Sequence, residues 1–268
     1  MLKILRVEWM KVKNYRTFWI LLAITIAIVP AVTYLLYNLM NNSFPKVKGK
    51  SLFGSPFAFP DVWQTVSWNS TLTFIIPAIL IITLTTNEFT YKTHRQNIID
   101  GWSREQFIGV KLIEVVLLAL LSTVVVMLTA IGFGYFGNKV PDGVSIWTGF
   151  RFIPFYFVQM LSYSMIAFLL AMLVKRAGLA IGAFLIYMLA ENILVGVMRN
   201  VYKLNWVDYL PEEVTDRLIP QPYLRKILQS PDEATRWEHH LPIHLGIAAL
   251  YLVIYCVFTS RRFTTSDL

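Results

Sequence analysis

The stretch Thr17–Met40 reads TFWILLAITIAIVPAVTYLLYNLM and contains no charged residue. A helix needs about 20 apolar residues to cross the hydrocarbon core of a bilayer. Comparable runs recur along the chain, and they are interrupted only by Glu191 in the fifth run and His244 in the sixth. The sequence therefore predicts six transmembrane helices, at about residues 17–40, 63–87, 110–137, 151–174, 177–198 and 241–260.

The composition of the 268 residues indicates that lipid surrounds much of the chain. Hydrophobic residues make up 56% of the sequence and charged residues 15%, whereas soluble domains average about 45–50% and about 25%. The apolar runs do not alternate with polar residues, as the strands of an outer-membrane barrel do. We therefore expect an all-α integral membrane protein in which residues 1–268 form a single transmembrane domain.

The positive charge of the chain predicts its orientation. The formal net charge is +8, and 13 of the 24 Lys and Arg residues lie before the first span, after the sixth, or in the connections that follow the second and fourth spans, with Lys111 at the start of the third span counted among them. Cytoplasmic segments of membrane proteins carry an excess of Lys and Arg. This distribution predicts that both termini are cytoplasmic, and it argues against nucleic-acid binding as the reason for the charge.

The segments outside the spans are short. Residues 1–16 place Leu2, Leu5, Trp9 and Met10 at helical spacing among basic residues, which is typical of an amphipathic helix at the membrane interface. The segments 41–62 and 199–240 fall on the outer side and are rich in proline. The second is long enough for two or three short helices, and neither can hold an enzymatic domain.

Two prolines lie inside predicted spans. Pro30 falls in the first span and Pro77 in the second. Proline removes a backbone hydrogen bond and can kink a helix, although membrane helices tolerate it where neighbours satisfy the freed carbonyl group. The sequence leaves open whether these prolines are hinges or ordinary membrane prolines.

The connection between the second and third spans, residues 87–107, reads NEFTYKTHRQNIIDGWSREQF. Gly101 suits the left-handed conformation that ends a helix. Ser103 and Gln106 have the spacing of a capping box that starts a new helix. The pattern predicts a compact cytoplasmic hairpin that carries Lys92, Arg95, Trp102 and Arg104 and could dock on another protein.

With these residues in view, the chain resembles the permease subunit of a type-two ABC exporter. The residues that match the motif of that family are Glu88, Thr93, Arg95, Ser103, Arg104 and Lys111. The basic start that ends in Tyr15-Arg16-Thr17-Phe18-Trp19 is similar to the pre-membrane helix of the family. One departure is Lys92, where the family often has glycine, so that the turn before Thr93 could differ.

The resemblance implies a division of labour in a bacterial cytoplasmic membrane. The permease would work beside a second copy or a homologous permease, in contact with membrane lipid, and a separate ABC ATPase subunit would bind ATP and Mg²⁺. This chain would then be no enzyme and would hold no cofactor or metal. The residues expected to couple it to the ATPase are Glu88, Lys92, Thr93, Arg95, Trp102, Ser103 and Arg104.

The sequence agrees with a separate ATPase because it has no P-loop motif. Such a motif requires Gly-x-x-x-x-Gly-Lys-Ser/Thr to hold phosphates. The nearest match, Gly49-Lys50-Ser51, has Phe44 in place of the first glycine.

A small set of polar residues lies at or near membrane depth. Glu191 and Asn192 form a candidate polar site in the fifth span, either on a substrate path, at a seam between permeases, or as a glutamate satisfied by Tyr187 or Asn192. Glu114 is expected to pair with Lys111 one turn away. His239, His240 and His244 cluster at the start of the sixth span without a metal-binding frame.

Two alternative functions stay open on the sequence. The chain could be a proton-coupled secondary transporter that uses Glu191, or a membrane scaffold or sensor that transports nothing. No residue selects a substrate.

Overall fold

A computed structural model describes residues 2–42, 46–47, 50–51, 55–137, 145–223 and 231–265. Two helices precede the first connection, α1 (Leu2–Lys13) and α2 (Arg16–Asn42). The connection holds a two-residue antiparallel pair, β1 (Lys46–Val47) and β2 (Lys50–Ser51), with Lys46 opposite Ser51. The remaining α-helices are α3 (Val62–Ser70), α4 (Ile75–Thr90), α5 (Thr93–Ile99), α6 (Arg104–Gly137), α7 (Phe152–Val174), α8 (Ala177–Asn200), α9 (Pro211–Asp216) and α10 (Pro231–Thr265).

Five helices in the described ranges are long and apolar enough to cross a membrane. Their candidate spanning parts are Arg16–Met40, Arg104–Phe136, Phe152–Val174, Ala177–Asn200 and Trp237–Phe263. They agree with five of the six predicted spans, and the multi-pass, all-helical class is confirmed. Helices α6 and α10 begin well before the predicted spans, because each starts in the polar segment that precedes its apolar run.

The predicted second span, 63–87, is not one straight helix. The chain forms α3, a 3₁₀ turn at Thr71–Thr73 and then α4, with a bend of 47° between Val62–Thr73 and Ile75–Thr90. Pro77 explains the position of the bend, because it has no N–H to donate to Thr73 and its ring crowds that carbonyl group. Pro30, in contrast, lies within the continuous helix α2.

Helix α7 lies at the centre of the bundle. In its most apolar stretch of 18 residues, 61% is buried, against 17% in the corresponding stretches of α2 and α10. It packs against α3, α4, α6, α8, α9 and α10. Since lipid tails are as apolar as leucine, such contacts are stabilised by close packing rather than by exclusion of water.

Gly134 shows how close this packing is. A Cβ atom added at Gly134 on α6 would lie 2.5 Å from the ring of Phe59. Phe57 and Phe59, in the segment before α3, are both buried. The glycine therefore admits an aromatic side chain from the segment before α3.

The bundle has two ends, which we name after the helices that mark them. The α1 end carries α1 and α5, and Phe107 near the start of α6 stacks there on Phe263 near the end of α10. The α9 end carries α9 and the 3₁₀ turn Trp206–Tyr209. Successive long helices run between the two ends.

Candidate functional site

A cluster of buried charges lies at the α1 end. Nζ of Lys111 on α6 lies 2.7 Å from Oε2 of Glu8 on α1, 3.0 Å from Oε1 of Glu88 on α4 and 3.1 Å from Oε2 of Glu114 on its own helix. Only 3% of the Lys111 side chain is exposed. A buried charge is tolerated when it is paired and hydrogen-bonded, so this ammonium group joins three helices. The predicted pairing of Lys111 with Glu114 is confirmed.

A second lysine extends the cluster to α5. Nζ of Lys11 on α1 lies 2.6 Å from Oε1 of Glu8, 3.3 Å from Oε1 of Glu88 and 3.4 Å from Oδ1 of Asn97 on α5. The same ammonium group lies 5.7 Å from the centre of the Trp102 ring. We call Glu8, Lys11, Glu88, Lys111 and Glu114 the α1-end cluster, in which three carboxylates face two ammonium groups.

The carboxylate of Glu88 also fixes the start of α5. The Thr93 hydroxyl donates a hydrogen bond to Oε2 of Glu88. Nδ1 of His94 lies 2.8 Å from the backbone oxygen of Glu88. These contacts tie the last turn of α4 to the first turn of α5, so that the two helices cannot move independently without breaking them.

Sharp turns bound α5 on both sides. We call residues 91–103 the α5 connection. Gly101 has a φ of +95°, which confirms the predicted helix stop. Lys92, before α5, has a φ of 56° and a ψ of 21°. It adopts the left-handed conformation that glycine adopts most easily, so the chain makes this turn with a lysine, at a cost of about 1–2 kcal/mol.

The capping box at the start of α6 is present as predicted. The backbone N–H of Gln106 donates to Oγ of Ser103 over 3.1 Å, and the backbone N–H of Ser103 donates to Oε1 of Gln106 over 3.0 Å. These reciprocal bonds satisfy amide groups that have no partner inside the helix. Ser103 is thus held in place at the start of α6, the helix that carries Lys111 and Glu114.

The surface of the α5 connection is basic and partly apolar. Lys92 and Arg95 are exposed, while Trp102 and Arg104 are half-buried. Ile99 is 77% exposed and Tyr91 69% exposed. Exposed apolar side chains beside basic ones make a surface that a protein partner can cover.

At the α9 end, Glu191 connects α8 to α9. Its Oε2 accepts a hydrogen bond of 2.6 Å from the Tyr187 hydroxyl, as the sequence allowed. Its Oε1 accepts bonds from the backbone N–H groups of Glu212, over 2.7 Å, and Glu213, over 3.1 Å. Asn192 donates instead to the backbone oxygen of Met188. Both oxygens of Glu191 are therefore engaged in holding α9 on the bundle.

Two further carboxyl groups of α9 lie near Glu191. Glu212 is buried, and neither of its carboxyl oxygens has a hydrogen-bond partner in the described part of the chain. Burial, together with the carboxylates of Glu191 and Asp216, raises the pKa of Glu212 to about 9. Burial raises the pKa of Asp216 to about 6, although Tyr163 and Gln159 donate hydrogen bonds to it. The carboxyl group of Glu212 is therefore protonated at neutral pH.

The histidines lie at the start of the apolar part of α10. The rings of His240 and His244 are 6.3 Å apart, and α10 continues through Pro242. Within the described ranges, they form no group with a third side chain that could hold a metal ion.

A family model described as a protein of unknown function, DUF2705, matches residues 20–268. The chain belongs to this family. A comparison with curated proteins finds no match.

The DUF2705 match contains most of both charged sites. It covers Glu88, Lys111 and Glu114 at the α1 end, and Glu191 and Glu212 at the α9 end. It begins inside α2, so α1 with its two cluster residues precedes the matched region.

Sequence reasoning found part of the α1-end cluster. Glu88, Thr93 and Lys111 were singled out, and the structure brings them together. Glu8, Lys11 and Asn97 were missed. The signal for Glu8 was present, because it is the only acidic residue among the first 16.

Proposed function

We propose that this chain is the membrane-spanning permease subunit of an ATP-driven exporter of the type-two ABC class. In this proposal it forms the substrate path, and a separate ATPase subunit supplies the energy. The residues of the α5 connection meet the ATPase, and the chain itself binds neither ATP nor Mg²⁺. The resemblance in residues 88–111 supports the assignment.

The α1-end cluster is the observation that carries the proposal. A force applied to the α5 connection reaches α4 through Glu88 and Thr93, and reaches α1 and α6 through Lys11 and Lys111. Because Lys111 and its partner Glu88 are buried, breaking that pair costs about 3–5 kcal/mol. The four helices therefore respond together, which is what an ATPase needs in order to tilt membrane helices from one face.

The proposed topology has six crossings. It counts the bent pair α3 and α4 as one span, which brings both ends of the described chain to the same face. The distribution of Lys and Arg supports placing the α1 end in the cytoplasm and the α9 end outside. In a bacterial cell this membrane is the cytoplasmic membrane.

The proposed assembly contains two permeases and two ATPases. Of the five candidate spanning helices, α2, α8 and α10 have the smallest buried fraction of residues. Each therefore offers a long apolar face to lipid or to a second permease. ATP binding draws the two α5 connections together, tilts the attached spans and moves the substrate outward.

Purification of the tagged chain from its native membrane tests the proposal. We expect a P-loop ATPase to copurify, and its ATP hydrolysis to be inhibited by vanadate. Ile99→Asp should abolish copurification, because it places a carboxylate on the exposed apolar part of the α5 connection. Val201→Asp is the matched control, since Val201 is 69% exposed but lies at the α9 end.

Two results would contradict the proposal. One is equal recovery of the ATPase with the wild-type chain and with Ile99→Asp. The other is substrate movement in ATP-free vesicles under a proton gradient alone, which would favour a secondary transporter.

A further inference from the structure

An open polar cavity lies at the α9 end, away from the α5 connection. Its volume is about 470 Å³, within the range of small-molecule sites. The lining residues come from the segment after α8, from the residue that follows α9 and from α10: Asn205, Asp208, Tyr209, Arg217, Trp237, His240 and His244. Neither the α1-end cluster nor the proposed ATPase contact involves this cavity.

The ionic groups of the cavity compensate each other. Nη2 of Arg217 lies 2.6 Å from Oδ1 of Asp208, and Nε of Arg217 lies 2.8 Å from Oε1 of Glu213. Arg199 contacts the same two carboxylates, over 2.8 and 2.5 Å. Two guanidinium groups thus face two carboxylates. A ligand with a full charge would have to compete with these pairs, whereas a neutral polar ligand would not.

Exposed side chains give the cavity hydrogen-bonding capacity. Those of Asn205 and His240 offer both donors and acceptors. His244 contributes part of its ring to the wall, since it is 5% exposed and its Nδ1 is enclosed by protein atoms. A ligand that offers donors and acceptors together would bond to Asn205 and His240.

Aromatic side chains complete the walls. Trp237 is held rigidly, since its indole N–H donates to the backbone oxygen of Arg217 over 2.8 Å. Its ring stacks on Phe152, and the guanidinium group of Arg151 lies 5.2 Å from the ring centre, which leaves the rest of the indole to line the cavity. The ring of Tyr209 lies 6.0 Å from that of His244. Flat aromatic walls beside paired donors and acceptors suit a ring that has C–H groups on its faces and hydroxyl groups on its edge.

We propose that the cavity lined by Asn205, Tyr209, Trp237, His240 and His244 binds a neutral sugar ring. The sugar packs against the aromatic walls, and its hydroxyl groups bond to His240, to the amide of Asn205 and to the exposed edges of the ion pairs. The ring can belong to a free saccharide or to the headgroup of a glycolipid, because the cavity lies where the helices α8 and α10 meet the polar segment between them. This inference does not depend on coupling to an ATPase.

Binding to the full chain in phosphatidylcholine nanodiscs tests the proposal, and detergents with sugar headgroups must be avoided because they would compete. In one arm, free maltose is titrated and followed by saturation-transfer NMR. In the other, nanodiscs contain glucosyl-diacylglycerol, and lipid retention is measured by native mass spectrometry. Binding in the first arm identifies a saccharide, and binding in the second alone identifies a headgroup; either supports the proposal.

The variants show whether the bound sugar occupies this cavity. His240→Ala and Asn205→Ala change exposed lining residues and should weaken binding about tenfold. His239→Ala is the control, because His239 is exposed beside His240 but does not line the cavity. Thermal melting of each variant shows that it is folded. Absence of binding in both arms, equal binding by wild type and His240→Ala, or displacement of the glycolipid by phosphatidylglycerol would overturn the proposal.

Discussion

Glu8 and Lys111 are separated by 103 positions in the sequence, yet Oε2 of Glu8 lies 2.7 Å from Nζ of Lys111, with both side chains almost fully buried. The contact attaches α1 to α6. It anchors the N-terminal helix to the bundle.

Lys111→Met should therefore loosen α1, which the contacts of Lys11 still tie to α4 and α5. The variant leaves Glu8, Glu88 and Glu114 without their shared cation, and the loss of one partner from a buried pair costs about 3–5 kcal/mol. We expect a lower thermal midpoint and faster proteolytic cleavage between α1 and α2. Glu8→Gln combined with Lys111→Met should cost less than the sum of the single changes. Strict additivity would show that the two side chains are not coupled.

Lys92→Gly should stabilise the α5 connection. The left-handed backbone at Lys92 is strained for a residue with a Cβ atom and relaxed for glycine. After the greater freedom of glycine in the unfolded chain is subtracted, we expect a gain of about 0.5–1 kcal/mol. Lys92→Ala keeps the Cβ atom and should give no gain. Hydrogen exchange of the α5 amides measures the local stability of each variant. Equal protection in Lys92→Gly and Lys92→Ala would show that the backbone at Lys92 is not strained.

Arg104→Glu should uncouple ATP hydrolysis from transport in the proposed exporter. Arg104 is half-buried at the first position of α6, beside the Ser103 cap. Reversing its charge alters the surface offered to the ATPase while all apolar spans stay intact. We expect the complex to insert and hydrolyse ATP, with transport reduced about tenfold or more. Unchanged transport per ATP would refute a coupling role for this residue.

Glu212 should make the stability of the α9 end depend on pH. The folded state binds its proton more tightly than the unfolded state, with a pKa of about 9 against a usual value of 4.5. The stabilisation is complete below about pH 4.5 and is lost as the pH rises through 9. Over this interval the free energy of unfolding should fall by at most about 1.4 kcal/mol per pH unit. Thermal unfolding, followed by circular dichroism at a series of pH values, measures the slope.

Two variants show which carboxyl group causes the dependence of the free energy of unfolding on pH. Glu212→Gln cannot ionise, so it should flatten the profile between about pH 6 and 9. Asp216→Asn should flatten only the lower part, because the pKa of Asp216 is about 6. A slope above pH 6 that persists in Glu212→Gln would assign the effect to another group.

The sequence was most informative where one residue property determines the structure. Apolar run length located the spans, and Gly101 and the Ser103–Gln106 pair marked where helices end and begin. The bend before Pro77 was not predictable in the same way, because Pro30 sits in an equally apolar run whose helix stays continuous. Pro77 lies in the first turn of α4, whereas Pro30 lies in the middle of α2.

The charged sites were predicted only as far as their local contacts. Tyr187 and Glu114 lie one turn from their partners, so helical spacing identified both pairs. The other partners of Glu191 are amide groups of α9, and those of Lys111 are on α1 and α4. Such contacts follow from the relative positions of helices that are distant in the sequence.

The central place of α7 has a consequence for biosynthesis. Synthesis starts at the N-terminus, so α2, α3, α4 and α6 are made before α7. Three of them, α3, α4 and α6, pack against α7. Until α7 follows, their inward polar groups, such as Gln64 and Ser122, have no finished interior to occupy. The helices α3, α4 and α6 thus lack their common packing partner until α7 has been made, and the interior of the bundle can close only then.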